Sequence, residues 1–146
     1  MYLLDTNVIS ELRKLPSGRC NPAVEAWLGS VPDAELYVAS VTLFELEKGA
    51  LLAKRRDPKR AASLDAWVRW VHRRFSGKLL SFDTRSAAAA APFHVPDPAP
   101  VEDSFIAATA KVHNLTVATR STKDFARFSV PYFNPWEYLP DQPGQN

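Results

Sequence analysis

The chain has 146 residues, 46% of them hydrophobic and 23% charged, with a formal net charge of +2. That length and balance fit one globular domain with a core of its own, and they exclude a disordered or collagen-like chain. Cys20 is the only cysteine, which excludes an internal disulfide and a cysteine-rich zinc site and fits a reducing cytoplasm. The opening Met1-Tyr2-Leu3-Leu4-Asp5 carries an acid and no basic segment, unlike a secretory leader. No apolar run reaches the roughly 18 residues of a membrane span, so a soluble, intracellular protein is expected.

In chain order, Tyr2-Leu3-Leu4 reads as a short buried strand, and Asp5-Thr6-Asn7 starts a helix that Pro16 stops. Asn21-Pro22 is a cap followed by proline in the first helical position, opening a helix through Trp27 and Leu28. Leu36 to Ala39 is a second strand, after which Ser40 is expected to cap a helix from about Val41 to Ala53. Leu64, Trp67, Val68, Val71 and Phe75 recur at helical spacing up to Gly77, and Leu79 to Phe82 is a third strand. Ala87 to Ala91 is a short low-complexity run. Four prolines between residues 92 and 100 leave no room for a regular element. A helix from about Val101 to His113 follows, closed by Asn114 in a left-handed cap. Leu115 to Ala118 is the fourth strand and Val130 to Phe133 a fifth. Residues 1–138 thus form one unit and residues 139–146 a polar tail. Strands alternating with helices predict one α/β domain around a mainly parallel sheet.

The acids carry the chemistry. Asp5 follows a strand directly, at the sheet edge where open α/β folds bind ligands, although an aspartate there also reads as a plain helix cap. Glu45 lies in a helix that is apolar almost all round, so at least partial burial is expected, at a cost unless it is paired. Asp103 shares a helix face with Ile106, Ala107 and Ala110, which turns it toward the core. It also suits a helix's first turn, as Glu102 would. Asp124 comes shortly after the fourth strand. A parallel sheet can gather all four at one edge, where like charges raise one another's pKa unless a cation lies among them. All-oxygen donors suit Mg²⁺ or Mn²⁺ rather than zinc, and one or two such ions serve phosphodiester hydrolysis.

These segments resemble a known family. Leu3 to Leu12, with Asp5-Thr6-Asn7 and Glu11, is similar to the opening of PIN-domain ribonuclease toxins of the VapC/FitB type, from VapBC toxin–antitoxin systems. Ser40 to Leu46, Asp103 with Ile106 to Ala110, Leu115 to Arg120, and Phe133 to Trp136 resemble the later motifs, so the likeness spans residues 2 to about 137. It implies a three-layer α/β/α domain with a five-stranded sheet and metal-dependent endoribonuclease activity in a bacterial cytoplasm. Asp5, Glu45, Asp103 and Asp124 would be the metal-binding and catalytic acids, with Thr119, Thr6 and Asn7 orienting carboxylates or waters. It also implies RNA as substrate, a small VapB/FitA-like antitoxin as partner, and a homodimer or toxin–antitoxin hetero-oligomer. Many relatives carry Asn or Asp where this chain has Ser121, so the fourth acidic position falls on Asp124. The proline-rich segment 92–100 looks shorter than the family's helical hairpin and is expected to leave the substrate groove more open.

Other residues carry weaker signals. The cluster Lys54 to Arg60, with Arg69, Arg73 and Arg74, reads either as an RNA track, as a solvated helix face, or as a dock for an acidic antitoxin segment. Arg120 suits phosphate positioning or an ion pair. His94 is a weak general-base candidate, and Glu11 is poorly placed to share a metal with Asp5. Phe44, Leu51, Trp67, Trp70 and Val71 are expected in the core, or on a dimer or antitoxin surface. Two rival functions are a non-catalytic antitoxin partner in a DNA-binding autorepressor complex and a phosphatase using Asp5 as nucleophile. The latter usually needs a second aspartate two residues on, where Asn7 stands.

Overall fold

Alternation along very short strands builds two cores on opposite sides of one sheet. Tyr2, Leu4, Leu36, Val38 and Ala118 turn to one side, and Leu3, Ala39 and Val117 to the other. The computed structural model describes residues 1–140, so the expected polar tail at 139–146 lies outside the described residues from position 141 onward. The strands are β1 (Tyr2–Leu4), β2 (Leu36–Ala39), β3 (Leu79–Leu80), β4 (Thr116–Ala118) and β5 (Tyr132–Phe133). All neighbouring pairs are parallel, in the order β3-β2-β1-β4-β5.

Helices α1 (Thr6–Arg13), α2 (Pro22–Ser30), α3 (Ser40–Arg56), α4 (Pro58–Arg74), α5 (Thr84–Ala90), α6 (Val101–Val112) and α7 (Thr122–Ala126) complete the chain. On one side of the sheet Ile9, Trp27, Val71 and Phe75 from α1, α2 and the α4 end form the core, and Tyr2 and Trp27 meet edge-on with centroids 5.0 Å apart. On the other side Ile106, Ala107 and Ala110 of α6 pack with Phe125 and Phe128. The result is the expected α/β/α arrangement with five strands.

The chain steps outward from β1 to β2 to β3, then returns to the far side of β1 for β4 and β5. Strand order therefore reverses between β1 and β4. At such a switch point the loops leaving the carboxyl ends of two neighbouring strands diverge and leave a crevice. The residues that follow these strands are Asp5 and Thr119.

Several elements differ from the sequence expectation for local reasons. Ser40 does not cap α3; its Oγ accepts the Phe82 amide at 3.1 Å, joining the end of the third strand segment to the start of α3. Helix α3 runs three residues beyond Ala53, to Arg56, where Asp57 breaks it and caps α4 through the amides of Lys59 and Arg60. The alanine run is a helix, α5, because Asp83 accepts from the Ser86 amide at 2.9 Å and alanine is the best helix former. It packs on α6. The proline-rich segment holds a short 3₁₀ turn, Ala91–His94. Asn114 does adopt a left-handed conformation, φ 55°. Phe44 and Leu51 are not core, being 54% and 64% exposed, whereas Val71 is fully buried.

Phe75 closes α4 with no exposed surface in the core beneath β2. Phe75→Ala is expected to cost about 3–5 kcal/mol, most of it from the cavity left behind, read as a lower urea midpoint at unchanged slope.

Candidate active site

Asp5 is placed by backbone first. Its amide donates to the Ala118 carbonyl at 2.9 Å, carrying the β1–β4 pairing one residue past the strand, while the Thr119 amide donates to the Phe133 carbonyl at 2.9 Å. These bonds bring the two side chains together. Thr119 Oγ1 donates to Asp5 Oδ2 at 2.7 Å, and the Thr6 amide donates to Asp5 Oδ1 at 2.8 Å. Thr119 Oγ1 in turn accepts the Ser121 amide at 2.9 Å, which directs its single proton at Asp5. Asp5 is 7% exposed and Thr119 fully buried. Burial pushes the Asp5 carboxyl above its ordinary pKa, the bonds from Thr119 and Thr6 hold it back, and the nearby Asp124 charge pushes it up again.

Asp5 thus caps α1 and at the same time stands at the crevice between β1 and β4. Asn7 makes no side-chain hydrogen bond to an acid among the described residues. Its Nδ2 donates to Ser121 Oγ at 3.3 Å and its Oδ1 accepts the Arg120 amide at 3.3 Å, so it ties the loop after β4 to α1. Thr6 contributes its amide; its hydroxyl is buried without a partner among the described residues. Ser121, engaged by Asn7, belongs to this framework.

Glu45 enters from α3 and is half-buried, as its apolar neighbours suggested. Desolvation raises its pKa to about 7, helped by Glu102, Asp5 and Asp103 and opposed by Lys48. Asp103 comes from the first turn of α6, held down by the fully buried Ile106, Ala107 and Ala110. Desolvation, then Asp5, Asp124 and Glu102, raise it to about 6. Asp124 lies in the first turn of α7, exposed to solvent, yet close enough to act on Asp5 and Asp103. The fold thus brings all four predicted acids into one electrostatic neighbourhood. Among the described residues no three His, Cys, Asp or Glu side chains close on a common point as ligands would.

A fifth carboxylate belongs to this neighbourhood. Glu102 is the largest charged influence on Glu45 and lies 3.9 Å from Lys48, bridging α6 to α3. Sequence spacing assigned it only to dipole compensation, because neighbouring helix residues point about 100° apart. Its relation to Glu45 exists only once α3 packs on α6. Lys48, one turn after Glu45, was the available signal.

Other candidates are placed elsewhere. Glu11 is buried and accepts from Lys14 Nζ at 2.8 Å and from the Asn21 amide at 2.9 Å, joining α1 to the start of α2. These bonds and the Lys14 charge outweigh its desolvation and lower its pKa. His94 is tied to Ser104 Oγ at 2.8 Å. Arg120 makes no ion pair among the described residues; its guanidinium lies over Trp136, 5.4 Å from the ring centroid.

Comparison with known proteins agrees with this architecture. The PIN domain family matches residues 2–131. The chain is 40% identical over 143 residues to "Toxin FitB" of Neisseria gonorrhoeae, covering 93% of this chain and 99% of that protein. It is 34% identical over 142 residues to "VapC ribonuclease Y4jK" of Sinorhizobium fredii, covering 94% and 99%. Among solved structures, FitAB bound to an IR36 DNA fragment superposes with TM-score 0.83 at 34% identity, covering 97% of this chain and 100% of that one. With a matching profile over most of the sequence, a close relative over nearly its full length and the same α/β/α fold, the chain is a member of the PIN-domain family.

Proposed function

We propose that this protein is a divalent-cation-dependent endoribonuclease and the toxin of a type II toxin–antitoxin pair. The observation that carries the reading is the convergence at the β1/β4 crevice. Asp5 is held rigid there while Glu45 and Asp103 are pushed above ordinary carboxylate values by burial first and then by the acids around them, Asp5 and Glu102 acting on both. Such mutual repulsion is destabilising by itself and is relieved by a cation. The relatives named as ribonucleases, and the toxin–antitoxin complexes among the similar structures, support the same reading.

The donor set fits a hard ion. Asp5, Glu45, Asp103 and Asp124 offer only oxygens, which suits Mg²⁺ or Mn²⁺. These four acids would hold Mg²⁺ or Mn²⁺, which supplies Lewis-acid stabilisation of phosphate charge and a more acidic water. Thr119 keeps Asp5 oriented through its hydroxyl, and Asn7 and Ser121 keep Thr119's loop in register with α1. Without a cation, Glu45 and Asp103 keep their protons to higher pH than ordinary carboxylates. In-line attack of water at phosphorus would leave 5′-phosphate and 3′-hydroxyl ends. The biological partner would be a small VapB/FitA-like antitoxin, in a homodimer or a hetero-oligomer, in a bacterial cytoplasm. A purely non-catalytic partner would have no use for this strained cluster, nor a phosphatase for Asn7 in place of its second aspartate.

Purified protein with Mg²⁺ or Mn²⁺ is expected to cut total bacterial RNA at discrete sites. Asp5→Asn, Asp103→Asn and EDTA should each abolish the products; cutting that survives all three would refute the metal-centred mechanism. Thr119→Val keeps the shape but removes the proton given to Asp5, and a loss of roughly 10–100-fold in activity or cation affinity is expected.

Linkage gives a pH prediction. Glu45 and Asp103 bind protons more tightly folded than unfolded, so without cation they favour the fold below the ordinary carboxylate range. That contribution is lost as pH rises through about 6 and about 7. Melting temperature in EDTA should therefore fall less steeply from acid to neutral pH in Glu45→Gln than in the wild type. Mn²⁺ should restore wild-type stability most at the alkaline end. Identical pH profiles for the two proteins would remove the assigned repulsion.

A further inference from the structure

A broad concavity lies beside the acids. A groove of about 950 Å³ runs between α1 and the α3–α4 hairpin, and Glu45 is part of its wall. Along it stand Arg13, Lys14, Arg19, Arg56 and Arg60, against only Glu45 and Asp57. The Asp57 carboxylate is already engaged by the Lys59 and Arg60 amides. Lys14 is paired with Glu11, and Arg13 donates to Ser63 Oγ at 2.9 Å. Arg19, Arg56 and Arg60 are exposed and make no ion pair or hydrogen bond through their side chains among the described residues. Leu46, Leu64 and Trp67 form an apolar floor between them.

We propose that this groove holds the single-stranded RNA on one side of the cleaved bond, with Arg19, Arg56 and Arg60 on its phosphates and the apolar floor under its bases. The proposal rests on the nuclease reading. Three features of the groove carry it. A strand positioned for cutting must continue past the cut, and this groove is continuous with the acids through Glu45. Its unneutralised guanidinium groups complement a polyanion, and their planar forks suit phosphate oxygens. Their distance is also apt: eleven residues of α3 put Arg56 about 16 Å from Glu45, and eight residues put Arg13 about 12 Å from Asp5. The cations therefore address phosphates away from the reacting one, leaving the acids free for chemistry. An apolar floor between positive walls is the arrangement by which proteins hold single strands without reading sequence.

The test is binding in EDTA, which separates it from cleavage. A fluorescein-labelled 20-nucleotide single-stranded RNA would be titrated with wild type, with Arg19→Gln/Arg56→Gln/Arg60→Gln, and with a matched control, Arg55→Gln/Lys59→Gln/Arg73→Gln. The control removes the same charge from exposed positions of α3 and α4 outside the groove. The groove variant is expected to weaken binding roughly tenfold or more and to lower the slope of log affinity against log salt by about 2, one contact contributing about 0.7. With Mn²⁺ present, KM should rise while kcat is kept. The control should stay near wild type. Equal behaviour of the two triple variants would overturn the proposal while leaving the nuclease reading intact. Absence of both binding and cleavage in wild type would remove both. A fluorescein-labelled glutamate-rich peptide, run in parallel, covers the other occupant. If the groove variant loses the peptide but keeps the RNA, the groove is a protein dock and the proposal fails.

Discussion

The hydrogen bond from Thr119 to Asp5 is the constraint on which the site depends. It joins the residues that leave two neighbouring central strands, at the place where strand order reverses, and it is buried. A short bond between a hydroxyl and a carboxylate is strong in such surroundings, and it leaves Asp5 one orientation. Around it the chain lays a second ring of polar contacts, from Asn7 to Ser121 and Arg120, and from Ser121 back to Thr119. Rotation of Asp5 would break its bonds from Thr119, which this ring holds in place, and from the Thr6 amide, so the carboxylate is positioned before any ligand arrives.

Against that rigid acid the fold sets carboxylates in tension. Glu45 and Asp103 belong to helices that would be more stable with neutral residues at those positions, since burial and like charge both oppose their ionised forms. The α3–α6 contact that draws Glu102 and Lys48 together also sets how close Glu45 comes to Asp103. The core supplies the compensation. Ile106, Ala107 and Ala110 lie flat on the sheet, and their small size lets the α6 N-terminus approach the crevice closely.

Charge is divided spatially as well. The acids cluster at the carboxyl edge of β1 and β4, and unpaired arginines line the groove beyond Glu45. The modest net charge conceals this separation, because opposite patches cancel in the sum. A phosphate chain meets attraction along the groove and, when no cation is bound, repulsion at its end.

How much of this was legible in the residues follows from the range of the forces involved. Period-two alternation at Tyr2-Leu3-Leu4, helical spacing from Leu64 to Phe75 and the left-handed turn at Asn114 are local effects, so they could be read directly. Inward placement of Glu45 and Asp103 was also legible, because apolar neighbours one turn away fix a helix's buried face. Ser40, Glu102, Arg120 and the groove were not. Ser40 is claimed by Phe82, 42 positions away, Glu102 meets Lys48 across two packed helices, and Arg120 meets Trp136 on a later turn. Phe44 and Leu51 read as core or as a dimer or antitoxin surface, and only packing removed the first alternative, because α3 turns its other face to α4 and the sheet. The sequence by itself determined the elements, the burial sense of their faces and the acids that qualify for a site. Tertiary structure alone decided which of those side chains meet, because hydrogen bonds and charge coupling depend on distances of a few ångströms that only packing sets.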